Sequence, residues 1–180
     1  MSLRIELSPA HTDAIQNIVM RYLTQILGNT RRVGAYTEQD WERHLTEEAL
    51  EEYKKDNTPI STQGNLVSFD NLRIAPKLNH IIQEAFPGCS VKPSGFFHYP
   101  PTGYMGWHTN SDVPCKRLYI TWAKEANKSF FRYLQDDVII TDYDSAGFTF
   151  RLFDITDKPP YLWHCVGSNT DRISIGYQIR

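Results

Sequence analysis

The second half of this chain is a succession of short aromatic and β-branched runs divided by turn signals, and this restricts the fold more than any other feature. The runs are Ser94 to Tyr99 (SGFFHY), Arg117 to Trp122 (RLYITW), Ser129 to Tyr133 (SFFRY), Asp137 to Thr141 (DVIIT), Phe148 to Phe153 (FTFRLF), Tyr161 to Val166 (YLWHCV) and Arg172 to Ile179 (RISIGYQI). With no helical pattern between them, they exclude a parallel βαβ sheet and predict an antiparallel sandwich or barrel.

The first ninety residues have a different texture. Ser8-Pro9 is an N-cap followed by proline at the first helical position. Ile15, Ile18, Val19, Tyr22, Leu23 and Ile26 then recur at helical spacing until Gly28. Thr37 to about Lys55 reads as a second helical region with a solvated charged face and His44 on the surface. Asn57 to Gly64 carries turn chemistry, and Asn65 to Phe69 suits a short strand. A third helix follows Ala75-Pro76, with Leu78, Ile81, Ile82, Ala85 and Phe86 on its buried face and His80 off it. The expected class is α+β. Residues 1–180 form one domain, in which a mainly helical 1–90 supports a β-sandwich core over 91–180.

Composition narrows the function classes. An apolar fraction of 41% excludes a disordered chain. A net charge of -2 supplies no electrostatic case for nucleic acid or an acidic membrane. Cys89, Cys115 and Cys165 have no zinc-ribbon or CxxC spacing, so free thiols are expected. With no charged-then-apolar leader and no long apolar run, the expectation is a cytoplasmic protein.

Two histidines stand out within the β half. His108 ends a glycine-rich approach (GYMGWH), and His164 follows 56 positions later in a strand-like run. A lone histidine in a strand is usually a satisfied structural side chain. Two histidines and an oxygen donor on one face, however, are the donor set of non-haem iron enzymes. Asn110 and Asp112 follow His108, and strand alternation would put 108, 110 and 112 on one face. By the same alternation Trp107, Trp163, Thr109 and Cys165 point away from the histidines and pack the sheet. Met105 reads as packing or a pocket wall, and His98 as a weak candidate for a substrate contact. Arg117 could support a cosubstrate or an anionic substrate, though a strand-edge ion pair is the more ordinary role.

The ordered series Tyr99, Gly103, His108, SAGFTFRLFD, His164, Arg172 and Ser174 resembles the double-stranded β-helix Fe(II)/2-oxoglutarate-dependent oxygenases, especially the prolyl-hydroxylase-like group. The likeness covers residues 96–177. It implies a jelly-roll, cupin-like fold with N-terminal helices packed on the sheet. It also implies iron ligation by His108 and His164. Arg172, with Tyr99 and Ser174, would take the far carboxylate of 2-oxoglutarate, a role that suits a guanidinium fork. The reaction implied is oxidation by O2 of a small-molecule or peptide substrate, coupled to decarboxylation of 2-oxoglutarate to succinate. The pattern departs from the family at one place: the motif reads His108-Thr109-Asn110 where the family has His-x-Asp or His-x-Glu. Asn110 could ligate through its amide oxygen, Asp112 could replace it, or the position could stay open for a halide, as in related halogenases. Three other readings compete: a cupin-like enzyme of different chemistry, a binding module that lost its carboxylate ligand, and a purely structural protein with incidental histidines, against which the ordered series Tyr99, His108, His164 and Arg172 argues.

Overall fold

The computed structural model describes residues 3–34, 39–56 and 62–180. It is a mixed α+β architecture of antiparallel sheets and, among the described residues, three α-helices. The expected free thiols are free, and no helix among the described residues is long and apolar enough to cross a membrane.

Helix α1 (Pro9–Leu27) begins where Ser8 Oγ accepts a hydrogen bond from the His11 amide, and ends at Gly28. Thr37 to Lys55 departs from the expected continuous helix: 37–38 lie outside the described residues, and the rest divides at Thr46. Trp41–Leu45 forms a 3-10 turn, and α2 (Glu47–Asp56) follows. Thr46 is extended and its hydroxyl caps the Ala49 amide, which starts a new helix instead of prolonging the old one. Helix α3 (Ala75–Ala85) buries Leu78 and Ile82 and leaves His80 exposed beside Glu84. Of the expected turn region, 57–61 lie outside the described residues.

The strands are β1 (Arg32–Val33), β2 (Gln63–Gly64), β3 (Leu66–Ser68), β4 (Val91–Tyr99), β5 (Gly103–His108), β6 (Cys115–Ala123), β7 (Ser129–Gln135), β8 (Val138–Tyr143), β9 (Gly147–Ile155), β10 (His164–Ser168) and β11 (Arg172–Ile179). The larger sheet has the order β1-β3-β4-β11-β6-β9, and the smaller β2-β5-β10-β7-β8. Neighbouring strands within both sheets run antiparallel. From β4 onward the chain passes back and forth between the sheets, so distant segments become neighbours. Strand β5 was not among the seven runs expected, because glycines at 103 and 106 dilute its β pattern.

Each sheet buries both faces. On the larger sheet Leu118, Ile120, Ile173, Ile175 and Tyr177 pack outward on Ile15 and Val19 of α1 and on Leu78 and Ile82 of α3. Outside the smaller sheet, Trp41, Leu45, Ala49 and Leu50 cover Tyr104, Trp107, Trp163 and Cys165. His44 belongs to this cover: its ring stacks on Tyr104 at 5.0 Å between centroids, where a surface histidine was expected. Between the sheets lie Leu66, Tyr99, Phe131, Tyr133, Phe153, Ile155 and Val166. The helices therefore clamp the sandwich from both sides.

Candidate active site

A β-bulge builds the centre of the site. Along β10 two steps separate His164 from Val166, while their partners on β5, His108 and Met105, are three apart. Gly106 and Trp107 thus stand opposite the single Cys165, and the extra residue resets the alternation. As a result Met105 and His108 both line the interior cavity, while Trp107 turns outward and donates its indole N–H to the Thr46 carbonyl at 2.8 Å.

His108 and His164 are cross-strand partners with ring centroids 4.1 Å apart. His108 Nδ1 lies 2.8 Å from the Gly106 carbonyl, and His164 Nδ1 lies 2.9 Å from the Leu162 carbonyl. A carbonyl can only accept, so each Nδ1 carries the proton and each Nε2 presents a lone pair. Burial pushes the His108 imidazole down to about 4, helped by the charge of Arg117 and opposed by the Gly106 carbonyl. Burial also holds His164 well below the ordinary range, with His108 and Arg117 adding to the effect. Both rings are therefore neutral at pH 7, the form that binds a metal ion. Phe131 stacks on His164 at 5.2 Å, and Phe153 and Tyr119 meet its edges, so the pair sits in an apolar frame.

The cavity between the sheets has a volume of about 260 Å³, slightly below the roughly 300–1,000 Å³ usual for small-molecule sites. His108, Asn110, His164, Tyr99 and Ser174 share its wall with Arg117, Tyr119 and Met105. Asn110 Nδ2 lies 3.2 Å from His164 Nε2. The phenol of Tyr119 is raised by burial, against lowering by Arg117 and by a hydrogen bond with Asn110.

Asp112 and Arg172 are not on this wall. Strand β5 stops at His108, and Asn110 has a left-handed φ of 56°, so alternation does not continue to residue 112. The chain turns outward there and leaves Asp112 exposed. Arg172 is fully buried behind Tyr99, its guanidinium carbon 5.0 Å from that ring's centroid. Its Nε donates to Asp144 Oδ2 at 2.9 Å and its Nη2 to Thr121 Oγ1 at 3.2 Å, so its charge is already balanced. His98 faces away from the cavity and pairs with Asp171 at 3.0 Å. Arg117 makes no ion pair with any carboxylate among the described residues, in place of the strand-edge pair that was one expectation; its Nη2 donates to the Val113 carbonyl at 3.5 Å.

Tyr119 was missed by sequence reasoning although it stands two residues from Arg117 on one strand, a spacing that places both on one face. The donor set suits a divalent ion in part. Two neutral imidazoles present Nε2 side by side, but no third His, Cys, Asp or Glu joins them among the described residues. The third donor within reach is the neutral amide of Asn110.

No protein-family model matches the chain, and neither does any curated protein. Among solved structures, the chain is similar to an oxidoreductase of the 2OG-Fe(II) oxygenase family from Burkholderia pseudomallei. Identity is 11% and TM-score 0.42, over 61% of this chain and 54% of that one, so the match spans about half of that protein's length. A Pseudomonas putida prolyl-4-hydroxylase matches with 15% identity and TM-score 0.39, over 82% of this chain and 90% of that one. Likeness this distant assigns no family, and function has to be argued from the site.

Proposed function

We propose that this protein is a non-haem Fe(II)/2-oxoglutarate-dependent oxygenase that hydroxylates a small-molecule or peptide substrate. The observation that carries the reading is the histidine pair: two buried neutral imidazoles, each oriented by a backbone carbonyl, with both Nε2 lone pairs at one cavity wall. Such outer hydrogen bonds fix the tautomer and ring orientation that a metal ligand needs. The strand order β4-β11-β6-β9 facing β5-β10-β7-β8 supports a double-stranded β-helix, the fold the sequence resemblance implies.

On this reading His108 and His164 hold the ferrous ion. Asn110, whose side-chain amide lies beside His164, would supply the protein's third donor through its amide oxygen. The ion, when bound with 2-oxoglutarate, supplies O2-driven oxidation of a C–H bond with release of succinate and CO2. The chain's part is to orient and to exclude water. Phe131 and Phe153 frame His164 and keep solvent from it, and Tyr119 holds the Asn110 amide.

An anaerobic titration tests the reading: Fe(II) is added to metal-free protein, then 2-oxoglutarate, and the visible metal-to-ligand charge-transfer band is followed. A band is expected; failure of iron to bind would end the proposal. One specific observation favours a second reading, a ligand-binding protein of the same fold that lost catalysis. Asn110 stands where a carboxylate is usual, and its amide already donates to His164 Nε2. That protein would bind neither iron nor the oxo-acid tightly.

A further inference from the structure

Among the described residues that line the cavity wall, every donor is neutral except Arg117, the one charged side chain there. It is 6% exposed, its Nε is buried without a hydrogen-bond partner, and its contact with Val113 is long. An isolated buried cation is costly unless an anion meets it. Yet no carboxylate among the described residues does so, whereas the more deeply set Arg172 already has Asp144. Arg117 extends from β6 onto the same cavity wall as His108, His164 and Tyr119. Among the described residues the wall thus combines a place for a divalent cation and a fixed cation with no acid. An anionic ligand would balance it.

We propose that Arg117, rather than Arg172, is the anion anchor of this pocket, and that it takes the far carboxylate of a small dicarboxylate whose other end meets the His108–His164 pair. That the acid is 2-oxoglutarate rests on the oxygenase reading; the anchor itself does not. A planar guanidinium with unused donors suits bidentate grip on a carboxylate. Charge balance adds a consequence. With neutral ligands and Arg117 nearby, a divalent ion binds weakly alone and more tightly with the dianion, and by reciprocity the dianion binds more tightly with the ion.

The test is calorimetric and anaerobic, on Fe(II)-loaded native protein, Arg117→Gln and Arg117→Lys. The ligands are 2-oxoglutarate and 2-oxopentanoate, which has the same chain without the far carboxylate. The native protein should prefer 2-oxoglutarate. Arg117→Gln should weaken 2-oxoglutarate by about 10- to 150-fold, the worth of hydrogen bonds to a charged group, and leave 2-oxopentanoate unchanged. Arg117→Lys should fall between. Without any acid, Arg117→Gln should bind Fe(II) more tightly than the native protein, because a repelling charge is gone. Equal effects on both acids, or none on 2-oxoglutarate, would overturn the anchor. If the native protein binds no 2-oxoglutarate at all, the oxygenase reading fails, and glutarate titrated into metal-free protein decides the anchor separately. Binding lost in Arg117→Gln keeps it, and no native binding rejects it.

Discussion

An amide and a carboxylate share a shape and differ in charge, and at position 110 that difference decides how firmly the histidine pair can hold a divalent ion. Asp tolerates the left-handed φ of 56° found there about as well as Asn does. Asn110→Asp should therefore fold normally and raise Fe(II) affinity by about tenfold or more, since 1.4 kcal/mol suffices for that. Equilibrium dialysis against Fe(II) under argon reads it, and unchanged affinity would remove residue 110 from the ligand set. In the same assay His108→Ala and His164→Ala should abolish binding, while Asp112→Ala should match the native protein because Asp112 is exposed to solvent. Much of this wall was legible in the sequence: His108, His164 and Asn110, singled out by residue type and strand alternation, and Tyr99 and Ser174, singled out by the family resemblance, line the cavity. The competition between Arg117 and Arg172 was not legible. It turns on Asp144, which lies 28 positions before Arg172 and reaches it only through the folded sandwich.

Elements hold this site through close approaches that few side chains would permit. Gly167 of β10 faces the 3-10 turn, and a Cβ there would lie 2.6 Å from Leu45 Cδ1, 2.7 Å from Phe130 Cζ and 3.0 Å from Trp41 Cζ3. Three contacts this short push the 3-10 turn off the smaller sheet, and overpacking of this kind costs about 1–3 kcal/mol. Gly167→Ala should lose that much in urea denaturation; native stability would show that the turn yields freely. The ends of α1 could be read in advance because Ser8 and Gly28 are local signals. The bulge in β5 could not, although the glycine in GYMGWH hinted at it. A bulge is defined by a partner strand, and β10 comes more than fifty residues later.

Across the whole molecule, one buried chain of charges ties the two sheets together at the end away from the histidines. Asp144, just after β8, accepts from Ser129 Oγ at 2.7 Å and from Arg172 Nε at 2.9 Å. Its Oδ1 lies 2.8 Å from Arg151 Nη1, an ion pair without hydrogen-bond alignment. Arg151 Nε reaches Asp142 at 2.7 Å, and Arg4 closes on Asp142 from the N-terminal segment. Burial alone would raise the Asp144 carboxyl, but Arg172, Arg151 and Ser129 outweigh it and hold it at about 2. Asp144→Asn would leave buried Arg172 without an anion and Arg151 with Asp142 alone, and should cost about 3–5 kcal/mol at pH 7. The pH dependence carries a definite sign. A carboxyl held lower in the folded state than in the unfolded chain contributes stability above the unfolded value near 4, and loses it as pH falls toward 2. For Asp144 this amounts to about 2 kcal/mol in full, with about half gone by pH 3. Unfolding free energies of the native protein and Asp144→Asn in urea, measured at pH 7, 5 and 3, should therefore differ equally at the first two and by about 1 kcal/mol less at the third. A gap that stays constant to pH 3 would mean that Asp144 does not titrate in this range, and that the sheets are joined by packing rather than by its charge.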